Sequence, residues 1–134
     1  MPLLDALLTY IDAQTALTAG SDLFASEMPG VPDACVAVYE YPGERPEHAF
    51  GANSAPHQEK PRFQVVCRNA AGEYDLARSQ AETIFQLLDK VTSTTLSGTV
   101  YHRIAALQSP FAMAPDENGR PRVACNFATR KALG

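Results

Sequence analysis

The sequence predicts an α+β fold, a mainly antiparallel sheet of four to five strands with two amphipathic helices packed on it. Apolar residues recur at three- and four-residue steps over residues 3–17 and 74–91, the spacing of one helix face. Runs rich in β-branched and aromatic residues occupy 35–41, 62–68, 99–107 and 122–129. Two helices and several strands with one apolar face each are satisfied together by helices laid on a sheet.

In the first helix Leu4, Leu7, Leu8 and Ile11 form the buried stripe, and Gly20 can end it. Ser21-Asp22 opens a short strand at 23–28 before Pro29-Gly30 turns the chain. Residues 35–41 read as a central strand that Pro42-Gly43 stops. Residues 42–60 carry Pro42, Pro46, Pro56, Gly43 and Gly51 without periodicity, and predict a long loop. So long a connection in a small domain calls for a function.

Order resumes at 62–68, a half-buried strand with Phe63, Val65 and Cys67 on one side and Gln64, Val66 and Arg68 on the other. The second helix buries Ala77, Ala81, Ile84, Phe85, Leu88 and Val91, with Asp75 at its start and Lys90 at its end, as the helix dipole favours. Thr94, Thr95 and Leu96 lead to a Ser97-Gly98 turn and the run 99–107. The polar segment 115–120 then joins that run to 122–129 as an antiparallel hairpin, with Val123, Cys125 and Phe127 on one face.

The 134 residues, 46% hydrophobic, supply one core, so a single domain over 1–134 is expected. No apolar run reaches the roughly 18–20 residues that cross a bilayer, and the start lacks the basic residues of a secretory signal. A soluble chain made in a cytoplasm is the expectation. Cys35, Cys67 and Cys125 are widely spaced within strands and read as buried reduced thiols. A formal charge of −4, from 15 acidic and 11 basic residues, argues against direct nucleic-acid binding.

A search for chemistry finds no catalytic residue, no cofactor motif and no metal site. The cysteines and His48, His57 and His102 form no nucleophile–base motif. His48 and His57 are too far apart for a short-spaced zinc pair. Asp5, Asp12, Asp75, Glu82 and Asp89 fall on solvated helix faces, and Asp116-Glu117-Asn118-Gly119 has turn chemistry without the alternating ligands of a calcium loop. The glycines lie in separate turns. Arg62, Arg68, Arg103, Arg120, Arg122 and Arg130 cluster around the strands, where they either face acidic partners or protect strand edges.

Several segments, in order, resemble the minor capsid or tail terminator family of long-tailed bacteriophages. They are residues 18–28 with Gly20-Ser21-Asp22-Leu23-Phe24 and Met28-Pro29, Val38-Tyr39-Glu40-Tyr41-Pro42-Gly43, Arg62-Phe63-Gln64-Val65, and Ala105 to Phe111 followed by Asp116-Glu117-Asn118-Gly119-Arg120. The resemblance spans nearly the whole chain. It implies a non-enzymatic α+β virion subunit, assembled in the host cytoplasm, that closes into a ring, a hexamer, at the head-proximal end of the tail tube. Such a ring ends tube polymerisation and docks the tail to head-completion (stopper) proteins, while DNA passes through its lumen without specific binding. The partners implied are further copies of the chain, the tail tube protein and the stopper, with no membrane.

The segment 42–60 is expected to order against a neighbouring subunit or the tube, at an entropic cost. Arg45, His48, Phe50, His57 and Lys60 are its candidate contact residues. Three alternatives stand beside this reading: another neck or adaptor ring protein, a small soluble ligand-binding or enzymatic α+β domain, and a monomeric regulatory adaptor.

Overall fold

The computed structural model describes residues 3–48 and 56–132. Helix α1, Leu3–Gln14, buries Leu3, Ala6, Leu7 and Ile11. Past its end the chain is tied back by side-chain acceptors: Asp12 Oδ2 takes the N–H of Ala19 at 2.9 Å and Asp22 Oδ1 that of Thr18 at 2.7 Å. Gly20, at φ +88°, supplies the left-handed residue this reversal requires. Strand β1, Leu23–Ala25, then pairs in parallel with the start of β2, Cys35–His48, matching Leu23 to Val36 and Ala25 to Val38.

Strand β3, Pro56–Arg68, runs antiparallel to β2. Helix α2, Tyr74–Asp89, follows, and then β4, Thr92–Leu96, and β5, Thr99–Ala106. Ser97 and Gly98 both have positive φ, 48° and 84°, the backbone of a tight two-residue hairpin turn. Strand β6, Phe111–Met113, and β7, Arg122–Ala132, complete one seven-stranded sheet in the order β1-β2-β3-β7-β5-β4, with β6 also on β7.

Three expectations are corrected. The sheet has seven strands where four to five were expected, and its β1–β2 pair is parallel. The additional strands are short: β1 and β6 have three residues each, too few to show a period of two. Of residues 42–60, expected to be one long loop, 42–48 continue β2 and 56–60 open β3, while 49–55 lie outside the described residues. Prolines survive in this stretch of β2 because β1 covers only Val36–Val38, leaving an open edge where no ladder N–H is needed from them.

The β2–β3 ladder shifts register between Tyr41 and Glu44, between Glu44 and Glu47, and between Glu47 and His48. These irregularities are the form in which a strand accommodates such residues. At the first of them a Cβ on Gly43 would run into the Lys60 carbonyl oxygen, so the two backbones meet where only glycine fits.

The hairpin expected around 115–120 forms, with an interruption. β5 and β6 occupy the same edge of β7, Ala106 opposite Phe127 and Phe111 opposite Ala124, with Leu107 N–H bonded to the Asn126 carbonyl between them. The connecting turn is organised by Asp116, whose Oδ1 accepts the N–H groups of Asn118 at 3.0 Å and Arg120 at 2.9 Å.

Both helices lie on one face of the sheet, over Val36, Val38, Phe63, Val65, Ile104, Val123 and Phe127. Phe63 and Phe127 are cross-strand partners with stacked rings 5.0 Å apart, and neither is exposed. Burying each contributes roughly 1.5–3 kcal/mol. The opposite face was expected to be solvated along 62–68, yet Val66 and Arg68 are 3% and 4% exposed. The chain at 29–33 and the β6–β7 hairpin fold over that end of it, as the bonds described next show.

Candidate assembly surfaces

The helix-free face of the sheet is built largely by arginines, and they divide into two groups. Arg68, at the end of β3, donates to the carbonyl oxygens of Pro29, Pro32 and Asp33 at 2.6, 2.8 and 3.0 Å. Arg120 donates to Gly30 O at 2.7 Å and pairs with Asp116 and Asp33 at 2.8 and 3.1 Å. Arg122 holds the Ala114 carbonyl oxygen through two nitrogens.

The Arg68 and Arg120 bonds pin the segment 29–33, which contains a cis Val31–Pro32 bond, and Val31 within it is 78% exposed. Beside it lies a concavity of about 530 Å³ floored by Tyr39, Gln64 and Val66 and walled by Met28 and Met113. The Arg120 backbone N–H, desolvation acting against it, and the guanidinium hold the Asp116 carboxyl below its ordinary range.

At the opposite end of the same face Lys60, Arg62, Arg103 and Arg130 surround a cleft of about 270 Å³ whose floor includes Ala105 and Ala128. The register puts these residues together: Arg62 faces Ala128, Ala105 faces Ala128, and Arg103 faces Arg130. Arg103 also reaches the carbonyl oxygens of Asp89 and Ile104 and lies 3.8 Å from the Asp89 carboxylate, anchoring the end of α2 to β5.

Under this end, on the helix side, Lys131 is 3% exposed, pairs with Glu59 at 3.3 Å and sits 5.9 Å from the Tyr101 ring. Burial, then the Glu59 and Glu40 charges, push the Tyr101 phenol up to about 12.

A third concavity, about 450 Å³, lies between the end of α1 and the start of α2, lined by Leu17, Val36, Leu76 and Thr83 among others. Leu76 on its lining is 54% exposed, and Tyr74, two residues earlier on α2, is 40% exposed. The thiols offer no chemistry, since all three are buried. Burial pushes the Cys125 thiol up to about 11, and raises those of Cys67 and Cys35 as well.

Of the candidate contact residues read from the sequence, Arg45 and His48 fall on the bulged part of β2 and His57 on the first residues of β3, where only the backbone is described. Phe50 lies outside the described residues. Lys60 is half-buried in β3 and lines the cationic cleft. The structure thus brings Lys60 together with Arg62, Arg103 and Arg130, a group dispersed over three strands in sequence. The available signal was the outward parity of positions 60 and 62, which a reading of this stretch as a loop discards.

A family model described as bacteriophage tail terminator protein matches residues 10–132. The chain belongs to the bacteriophage tail terminator family. This terminator-family chain is accordingly a structural, non-enzymatic protein and a virion tail component. No curated protein matches it by sequence.

Among solved structures, a chain from a "virion of native gene transfer agent (GTA) particle" is similar with a TM-score of 0.62 at 15% identity, covering 85% of this chain and 81% of that one. A second solved chain is similar with a TM-score of 0.58 at 12% identity, over 97% of the terminator-family chain and 90% of its own length. At such identities these likenesses show a shared fold. No described helix is long and apolar enough to cross a membrane.

Proposed function

We propose that this protein forms a ring, a hexamer, at the head-proximal end of the phage tail tube. There it ends tube polymerisation and offers the surface on which the head-completion protein docks. The family membership carries this reading. The surfaces are compatible with it: a cyclic ring uses heterologous contacts, so each subunit needs two different complementary patches. The cationic cleft and the apolar, acidic start of α2 lie on opposite layers of the subunit.

The open edge of β2 beyond Val38 adds a third surface, with backbone groups available to a partner strand. Arg45, His48, Phe50, His57 and Lys60 remain the proposed contacts from this region. Its prolines and bulges oppose indiscriminate edge pairing between stray copies.

Light scattering across a concentration series, with and without tail tube protein, tests the reading. The mass is expected to rise from that of a 14.5 kDa subunit to one discrete closed species. A mass that stays at one subunit throughout would contradict it.

A further inference from the structure

We propose that the outer edge of β4 pairs in parallel with the open edge of β2 of a neighbouring copy, at Glu40, so that the sheets of successive subunits join. The inference rests on the ring reading above and names a contact that holds the ring together.

The strand order leaves the sheet two unlike edges. At one of them β4 pairs only with β5 among the described residues. Ser97 and Gly98 form the two-residue turn, so Leu96 and Thr99 exchange both backbone bonds, and the N–H and C=O of Thr95 point away from β5. Thr92, Ser93 and Thr95 are exposed, and from Val91 to Tyr101 the chain carries neither a charged residue nor a proline. Edges meant for solvent are guarded by such residues, and an unguarded edge is a template for another strand.

At the other edge the Val36 N–H donates to the Asp22 carbonyl at 2.9 Å, and the Ser26 N–H to the Val38 carbonyl at 2.8 Å. Backbone groups alternate in direction along a strand, so those of Glu40 are the next to point outward. Ser26, at φ +65°, closes β1 short of them.

Direction and face agree between the two edges. Strands β2, β3, β7, β5 and β4 are linked by antiparallel pairings throughout, so β4 runs the same way as β2. Rotation about a ring axis lying along the strands preserves that direction, and β4 of one copy meets β2 of the next in parallel. Glu40 shares the sheet face of the core residues Val36 and Val38, and Thr94 that of the core residue Leu96.

Thr94 beside Glu40 therefore keeps the helices of both copies on one side of the joined sheet. In that register the Glu40 N–H reaches the Ser93 carbonyl and the Thr95 N–H reaches the Glu40 carbonyl. Antiparallel pairing of the same groups would turn one sheet over. Two β4 edges paired with each other would close a two-fold dimer, which cannot propagate into a ring. Pro42, the next outward position, has no N–H, so the joint ends there.

Thr95→Pro in the full chain tests the joint, because it removes an N–H that no bond within the subunit uses. Circular dichroism and urea unfolding check that the subunit still folds. The concentration at which half the chain assembles is expected to rise at least about tenfold, while Thr95→Ala assembles like wild type. In parallel, a Glu40→Cys/Thr94→Cys double variant is treated with a short bis-maleimide, which the buried native thiols do not meet. A ladder of covalent oligomers is expected from the double variant and none from either single variant. Folded Thr95→Pro protein that assembles like wild type, or a double variant without the ladder, would overturn the joint while the wild-type ring stands. Cross-linking of Thr94→Cys alone, with the mass stopping at two subunits, would assign the β4 edge to a two-fold contact and overturn it as well. A wild-type chain that is monomeric with and without tube protein removes the ring reading and this joint with it.

Discussion

Cys35, Cys67 and Cys125 sit at 3%, 1% and 2% exposure within strands β2, β3 and β7. Removal from water disfavours the thiolate, so each remains protonated in the folded chain at pH values where the unfolded chain would lose the proton. A pKa raised by folding contributes stability that is complete below the ordinary thiol value of 9.0 and is lost as pH rises through the folded value, about 11 for Cys125. Tyr101, pushed up to about 12, acts in the same direction.

A disulfide reagent at about pH 8 is therefore expected to label none of the three thiols until urea unfolds the chain, and the urea midpoint to fall steadily above about pH 9. Rapid stoichiometric labelling of folded protein would contradict this burial. The thiols were legible in the sequence because each stood in an apolar or alternating run. The arginines were not: sequence placed Arg68, Arg103 and Arg120 among the strand charges facing partners or guarding edges. The acceptors that hold them are backbone carbonyl oxygens of other segments, and carbonyl positions carry no sequence signature.

Elements with a long period were readable from the residues, and elements without one were not. Helix α2 was expected over 74–91 and runs Tyr74–Asp89, because four buried positions recur through it. The stretch 42–60 was expected to be a loop because proline and glycine usually end strands. On an unpaired edge they bulge it instead, and the pairing comes from β3 across the hairpin, a non-local partner that local composition does not report.

The segment 29–33 shows the complementary case, an irregular element fixed by side chains. Arg68→Ala would leave three carbonyl oxygens without their charged donor at a site 4% exposed. We expect a loss of about 2–4 kcal/mol in urea unfolding. A change below about 0.5 kcal/mol would show that the segment holds its place by other means.

Across the whole molecule, net charge conceals how charge is arranged. The acidic balance suggested a surface that repels DNA, a property useful around a lumen. The fold concentrates four cations from three strands, Lys60, Arg62, Arg103 and Arg130, at one end of the helix-free face. The α+β class and the helix-on-sheet layering were legible, whereas this clustering depends on which strands become neighbours.

Electron microscopy of tail tube protein polymerised with and without this chain tests the central claim most directly. With the chain present, tubes are expected to stop growing and to carry a ring at one end only. Tubes of unchanged length with bare ends would contradict the account.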